Sequence, residues 1–147
     1  MAVFGVKYRL GLISPKWQNE LHAVMGRILN EIQGVKVIKV GGVADHVHVF
    51  FSTRGIVPEE EIVRKVKSES TLWVNNNRLA VGRFAWQSGG GRFSYSPSAV
   101  PQVKHYIENQ AEHHRRMSFA EEYARFLAHY NFPYTKYDLP DPLADAE

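Results

Sequence analysis

Two groups of residues carry side chains able to do chemistry. The first is His46 and His48, in the run GGVADHVHVFFS. On a β-strand alternate side chains share a face, so two imidazoles at i and i+2 can converge on one small object, whether a metal ion, a substrate or water. The second is KHYIENQAEHHRR, residues 104–116, whose pattern reads as helix. Tyr106 and Gln110 are four apart and neighbours on one helical face, with His113 a further three along. Val100, Val103 and Ile107 form the adjacent apolar stripe, which puts Tyr106 at the border between core and solvent. A phenol there is a half-buried anchor or a nucleophile, since tyrosine can form covalent intermediates. The chain has no cysteine, which excludes disulfides, thiolate zinc sites and cysteine nucleophiles.

The elements that must position these groups can be read from hydrophobic period and punctuation. VFGVKYRLGLI, from Val3, predicts a first strand with Lys7 and Arg9 on one face. After Pro15, the spacing of Trp17, Leu21, Met25, Ile28 and Ile32 predicts a helix that ends by Gly34. VKVIKV, from Val35, predicts a second strand, and Gly41-Gly42 with Asp45 a turn into the histidine strand, making a hairpin. In that third strand Val47, Val49 and Phe51 take one face, and His46, His48 and Phe50 the other. Pro58 followed by three glutamates predicts a helix to about Asn75, because acids favour the positive end of the dipole. Its core face carries Ile62, Val66 and Trp73. A fourth strand is expected within Arg83–Gln87, followed by the loop SGGGRFS. Ser98 is the expected cap of the Tyr106 helix, with Pro101 in its first turn. Ser118 and Glu121 form a capping box opening a last helix with Phe119, Tyr123, Phe126 and Tyr130. The order β-α-β-β-α-β predicts an α+β, ferredoxin-like sandwich with an antiparallel sheet, a central histidine strand and additional C-terminal helices. Such a fold hosts many activities.

A chain of 147 residues is most economically one domain, here residues 1–137 with an acidic, flexible tail over 138–147. All 18 Lys and Arg precede residue 138, whereas the last ten residues carry four acids and no base. A basic body with an acidic tail fits a polyanion partner. Lys65, Lys67, Lys104, Arg115 and Arg116 are candidates for phosphate contacts, the plain alternative being solvated helix faces. Trp86 could stack on an unpaired base, but burial is the better reading. Asp45 reads as a turn residue rather than an outer ligand, and His105 and His114 as residues of other helix faces or of packing. No run reaches a membrane span and MAVFGVKYRL lacks a signal-peptide pattern, so a cytoplasmic location is expected.

A His-hydrophobic-His strand followed by a helical Tyr with Gln four residues later resembles the single-tyrosine transposases of the insertion sequence 200/605 class. These include the REP-associated tyrosine transposases, within the wider HUH endonuclease group. The matching segments are GGVADHVHVFFS, VRKVKSESTLWVN, FAWQSGGGRFSYSPS, and YIENQAEHH with RRMSFAEEY, in the family's order over most of residues 1–130. The resemblance implies that His46 and His48 are paired metal-binding histidines and Gln110 a third ligand. It implies that Tyr106 attacks a phosphodiester of single-stranded DNA, forming a 5′-phosphotyrosine bond and freeing a 3′-hydroxyl. It also implies a divalent ion, Mg²⁺ or Mn²⁺, a DNA hairpin near the element's end, and a homodimer whose tyrosine helix can serve the partner's site.

Residue chemistry is compatible with that picture. Two imidazoles and an amide make a neutral, sparse ligand set with open positions, and imidazole suits Mn²⁺ better than Mg²⁺. A tyrosine hydroxyl, with an ordinary pKa of about 10, needs help to lose its proton. The metal is one candidate helper and His113 another. Transesterification needs no ATP, and the chain has no GxxxxGK phosphate loop. Gly90 stands where the family commonly has a Tyr between two glycines. Two alternatives are a domesticated, non-cutting binder of single-stranded or hairpin nucleic acid, and a metal hydrolase using water in place of tyrosine.

Overall fold

The computed structural model describes residues 1–114 and 117–129, without the side chains of Arg9, His113, Phe126 and His129. Four strands, β1 (Ala2–Gly5), β2 (Val35–Val43), β3 (His46–Thr53) and β4 (Gly91–Arg92), form one sheet in the order β2-β3-β1-β4. Every neighbouring pair is antiparallel, and β3 lies inside the sheet, with His48 opposite Val3 of β1 and Gly41 of β2. Helix α1 (Gln18–Glu31) joins β1 to β2, and α2 (Glu59–Asn76) lies between β3 and β4. The split β-α-β-β-α-β architecture expected from the order of elements is therefore present.

Strand alternation sorts the side chains of β3 between two cores. Val47 and Val49 pack with Leu21, Met25, Ile62 and Val66 of α1 and α2 on one face. Phe50, on the opposite face, packs with Ile107, Phe119 and Tyr123. That second layer is built from α3 (Val100–Glu108), the short α4 (Gln110–His113) and α5 (Phe119–His129). A strand buried on both faces has no water for its side chains, so His46 and His48, both fully buried, must find protein partners.

Several local expectations differ. β1 ends at Gly5 and a 3-10 turn follows at Lys7–Arg9, with Tyr8 at φ 58°, so the first strand is shorter than its apolar pattern. Gly41 and Gly42 belong to β2, and Ala44 and Asp45 alone make the turn. The fourth strand lies in the glycine-rich segment rather than within Arg83–Gln87, where Trp86 makes one isolated bridge to Val6. The reason is visible at Phe84, whose N–H and C=O are taken by the Asn75 side chain of α2, leaving no ladder to build. Ser98 does not cap the Tyr106 helix; it sits inside a 3-10 turn, Pro97–Ala99, that leads into α3. That helix breaks at Asn109, so Tyr106 and Gln110 belong to successive helices. Ser118 does cap α5, its Oγ accepting the Glu121 N–H at 3.2 Å. Tyr130 and the tail 138–147 lie outside the described residues.

Candidate active site

The site begins where α3 meets the hairpin. A Cβ at Gly41 would lie 2.6 Å from Ile107 Cγ2 and 2.8 Å from the Ile107 carbonyl oxygen. Glycine is thus required there for α3 to approach β2 closely enough to hold Tyr106 and Gln110 over the histidines. His46 and His48 present their rings 5.3 Å apart, and the Tyr106 ring stands 5.8 Å from that of His48.

Asp45 sets the first ring. Its carboxylate accepts from His46 Nδ1 at 2.8 Å, which turns Nε2 inward. His46 Nε2 then faces Gln110 Oε1 at 3.1 Å and Glu122 Oε1 at 3.4 Å. His48 Nε2 donates to Glu122 Oε1 at 2.9 Å, and His114 Nε2 to Glu122 Oε2 at 3.1 Å. Tyr106 Oη also donates to Glu122 Oε2, and Gln110 Nε2 lies 3.5 Å from the same oxygen. Phe119 stacks on the His46 ring at 4.0 Å between centroids. One carboxylate, 2% exposed, is therefore the hub of three imidazoles, a phenol and an amide.

The electrostatics follow from that hub. Burial pushes the Glu122 carboxyl upward, but its bonds to His114, His46 and His48 outweigh this and hold it far below the ordinary range. Burial opposes charge on His46, yet hydrogen bonds to Asp45 and Glu122 raise it overall, whereas burial dominates at His48 and lowers it. Burial, then the bond and charge of Glu122, push the Tyr106 phenol well above its usual value. Tyr106 rests as a protonated, half-buried phenol beside a carboxylate.

The donor set fits a divalent cation. Ligand atoms of His46, His114 and Glu122 lie within 4.8 Å of one another, and His48 and Gln110 face the same carboxylate. Imidazole nitrogens combined with a hard carboxylate oxygen suit Mn²⁺ or Mg²⁺, and Asp45 supplies the outer orienting bond such ligands need.

The structure brings His46, His48, Tyr106 and Gln110 together around Glu122. His114, read as a residue of another helix face or of packing, reaches the hub through its bond to Glu122. Asp45 is more than a turn residue, because its carboxylate holds His46. His105 is exposed and bonds Asn109. The His113 side chain, Arg115 and Arg116 lie outside the described residues. Lys65 and Lys104 are exposed. Lys67 is half-buried, its Nζ donating to the Gln87 carbonyl at 3.1 Å and to that of Gly89. Trp86 is buried and donates to Ser70 Oγ at 3.0 Å, so it is a core residue. Glu122 went unrecognised in the sequence. The available signal was an acid three residues after Phe119 and one before Tyr123, inside the apolar stripe of its helix.

The family model described as "Transposase IS200 like" matches residues 1–110, a span that holds His46, His48, Tyr106 and Gln110 and stops short of His114 and Glu122. Among curated proteins no sequence matches significantly. A solved structure of a candidate transposase from Deinococcus radiodurans R1 is similar at a TM-score of 0.57 and 18% identity, covering 74% of this chain and 87% of that one. At that identity the likeness speaks for the fold, which in this chain is an α+β architecture with a four-stranded antiparallel sheet. The match over three-quarters of the sequence shows that this chain belongs to the IS200-like transposase family.

Proposed function

We propose that the protein is a metal-dependent transposase that cleaves and rejoins single-stranded DNA at hairpin-marked element ends, with Tyr106 as the nucleophile. The observation that carries this reading is the meeting of Tyr106, His46, His48 and Gln110 around one buried carboxylate.

His46, His48 and Gln110, joined by His114 and Glu122, are the residues that would hold Mg²⁺ or Mn²⁺. When bound, the ion supplies Lewis-acid polarisation of the scissile phosphate. Asp45 keeps the His46 ring in position, and the Phe119 stack excludes water from one side of it. The Gly41 contact fixes α3, and with it the Tyr106 oxygen, beside the donors. In the reaction a bond forms from Tyr106 Oη to phosphorus as the bond from phosphorus to the 3′-oxygen breaks. The phenolic proton lost equals the proton gained by the departing 3′-hydroxyl, and the number of phosphodiester bonds is unchanged, so no external energy source is needed.

The test incubates protein and Mn²⁺ with labelled hairpin oligonucleotides carrying single-stranded flanks, and resolves the products on a denaturing gel. A covalent adduct that chelator and Tyr106→Phe both abolish, with metal binding retained by the variant, is the expected result. Hairpin binding without an adduct across a broad panel would favour the non-cutting binder. Cleavage that survives Tyr106→Phe would favour a water-using hydrolase.

A further inference from the structure

Beyond the metal donors, the site face of β3 continues into a cleft of about 370 Å³. Its floor is Phe50, the next residue after His48 on that face and about 7 Å along the strand. Phe93 and Tyr95 form the wall, with Tyr95 edge-on to Phe50 at 6.0 Å between centroids. Val100, the first residue of the helix that carries Tyr106, lines it as well. The cleft therefore begins two residues beyond His48 on β3 and, at Val100, six residues before Tyr106 on α3.

Its far end is cationic. Arg92 is exposed there and also lines a second cavity, of about 320 Å³, where Arg64 and Lys67 stand beside the backbone of Gly89, Gly90 and Gly91. Glu59 borders the cleft and Glu60 the cavity, so three cationic side chains face two acids along this path. Aromatic rings beside the reacting group and positive charge further on are the two elements that bind single-stranded nucleic acid, rings for bases and cations for phosphates.

We propose that this cleft binds an unpaired nucleotide next to the scissile phosphate, its base stacked on Tyr95 above Phe50 and its backbone phosphate against Arg92. The proposal rests on the transposase reading and specifies the substrate subsite of that same centre. Gly90 lines the second cavity instead: at φ 130°, a Cβ there would lie 2.7 Å from the Val3 carbonyl oxygen, so a side chain is excluded where the loop turns toward Arg92. Tyr95, from the next strand-to-helix segment, supplies the ring.

The experiment uses full-length protein carrying Tyr106→Phe, so that binding is measured without covalent trapping. Fluorescence anisotropy is recorded with hairpin oligonucleotides whose flanking nucleotides are made abasic one at a time. Adding Tyr95→Ala should weaken binding to the intact oligonucleotide about tenfold, the scale of one base–aromatic stack. The loss should vanish at one abasic position, and Tyr95→Phe should restore affinity. Arg92→Ala should reduce the slope of log K against log salt by about 0.7, the value for one phosphate of a single strand. Photocrosslinking of the unsubstituted Tyr95 protein to 5-iododeoxyuridine placed at that position should label Tyr95, a readout that needs no cleft variant to fold. Equal binding by Tyr95→Ala at every position, or crosslinks only outside the cleft, would overturn the proposal and leave the transposase reading standing. Absence of single-stranded DNA binding by the parent would overturn both.

Discussion

Glu122 changes the chemistry of the centre more than any other single residue. Two histidines and a glutamine are a neutral ligand set, and the carboxylate adds a hard oxygen and a negative charge. Glu122→Gln keeps the side-chain shape while removing that charge. Mn²⁺ affinity, measured by calorimetry, is expected to fall at least about tenfold, the scale on which metal sites respond to loss of a supporting group. The same substitution removes the negative charge, one of the influences that raise the Tyr106 phenol, so its titration should move down towards the ordinary tyrosine range, though burial continues to hold it above. Ultraviolet difference titration against Tyr106→Phe isolates that tyrosine, and an unchanged midpoint would refute the coupling. The histidine pair was legible in the sequence because strand alternation is a local rule. Glu122 was not, because its bonds to His48 and His46 span 74 and 76 residues and no local period encodes them.

The elements act by holding close approaches. Gly41→Ala would set a methyl group against Ile107 and force α3 off β2. A cost of about 1–3 kcal/mol is expected, as for other overpacked contacts. Adduct formation should fall further than the stability loss alone explains, because Tyr106 moves with the helix; thermal melts beside adduct yields separate the two effects. On the other side of β2, His22 of α1 is largely buried, its Nε2 lacks a hydrogen-bond partner, and burial aided by the charge of Lys39 lowers its pKa from 6.5 to about 4. The unfolded chain takes up this proton as pH falls through about 6.5, the folded chain only near 4. Stability is therefore lost across that window, by at most about 3 kcal/mol. His22→Gln should melt with a shallower acid slope than the parent between pH 7 and pH 4, and parallel slopes would refute the assignment. Element types were readable from periodicity, as with α1 and α2. The fourth strand was not: the backbone of Phe84 is claimed by the Asn75 side chain, a tertiary competition that strand propensity does not contain.

Among the described residues, the sheet separates a core under α1 and α2 from a second core in which α3, α4 and α5 enclose the candidate site. Tyr106 meets the histidines of its own chain, with 5.8 Å between its ring and that of His48. If catalysis uses this arrangement, mixing Tyr106→Phe protein with His46→Ala protein restores no adduct. Recovery of adduct in the mixture would instead show that the tyrosine helix serves a partner's site. The sequence by itself determined the split β-α-β-β-α-β order, the central histidine strand with its two faces, and the family, because these follow from hydrophobic period and from motifs short in chain length. Only the tertiary structure decided that α5, beyond the residues of the family match, returns Glu122 to the strand, that His114 joins it, and that Tyr95 and Arg92 line one cleft with Val100 of the Tyr106 helix. The reason is physical: a residue's partners within a helix or strand are set by the regular backbone, whereas contacts between distant segments are set by how close two backbones can pack and which buried polar groups must be satisfied there.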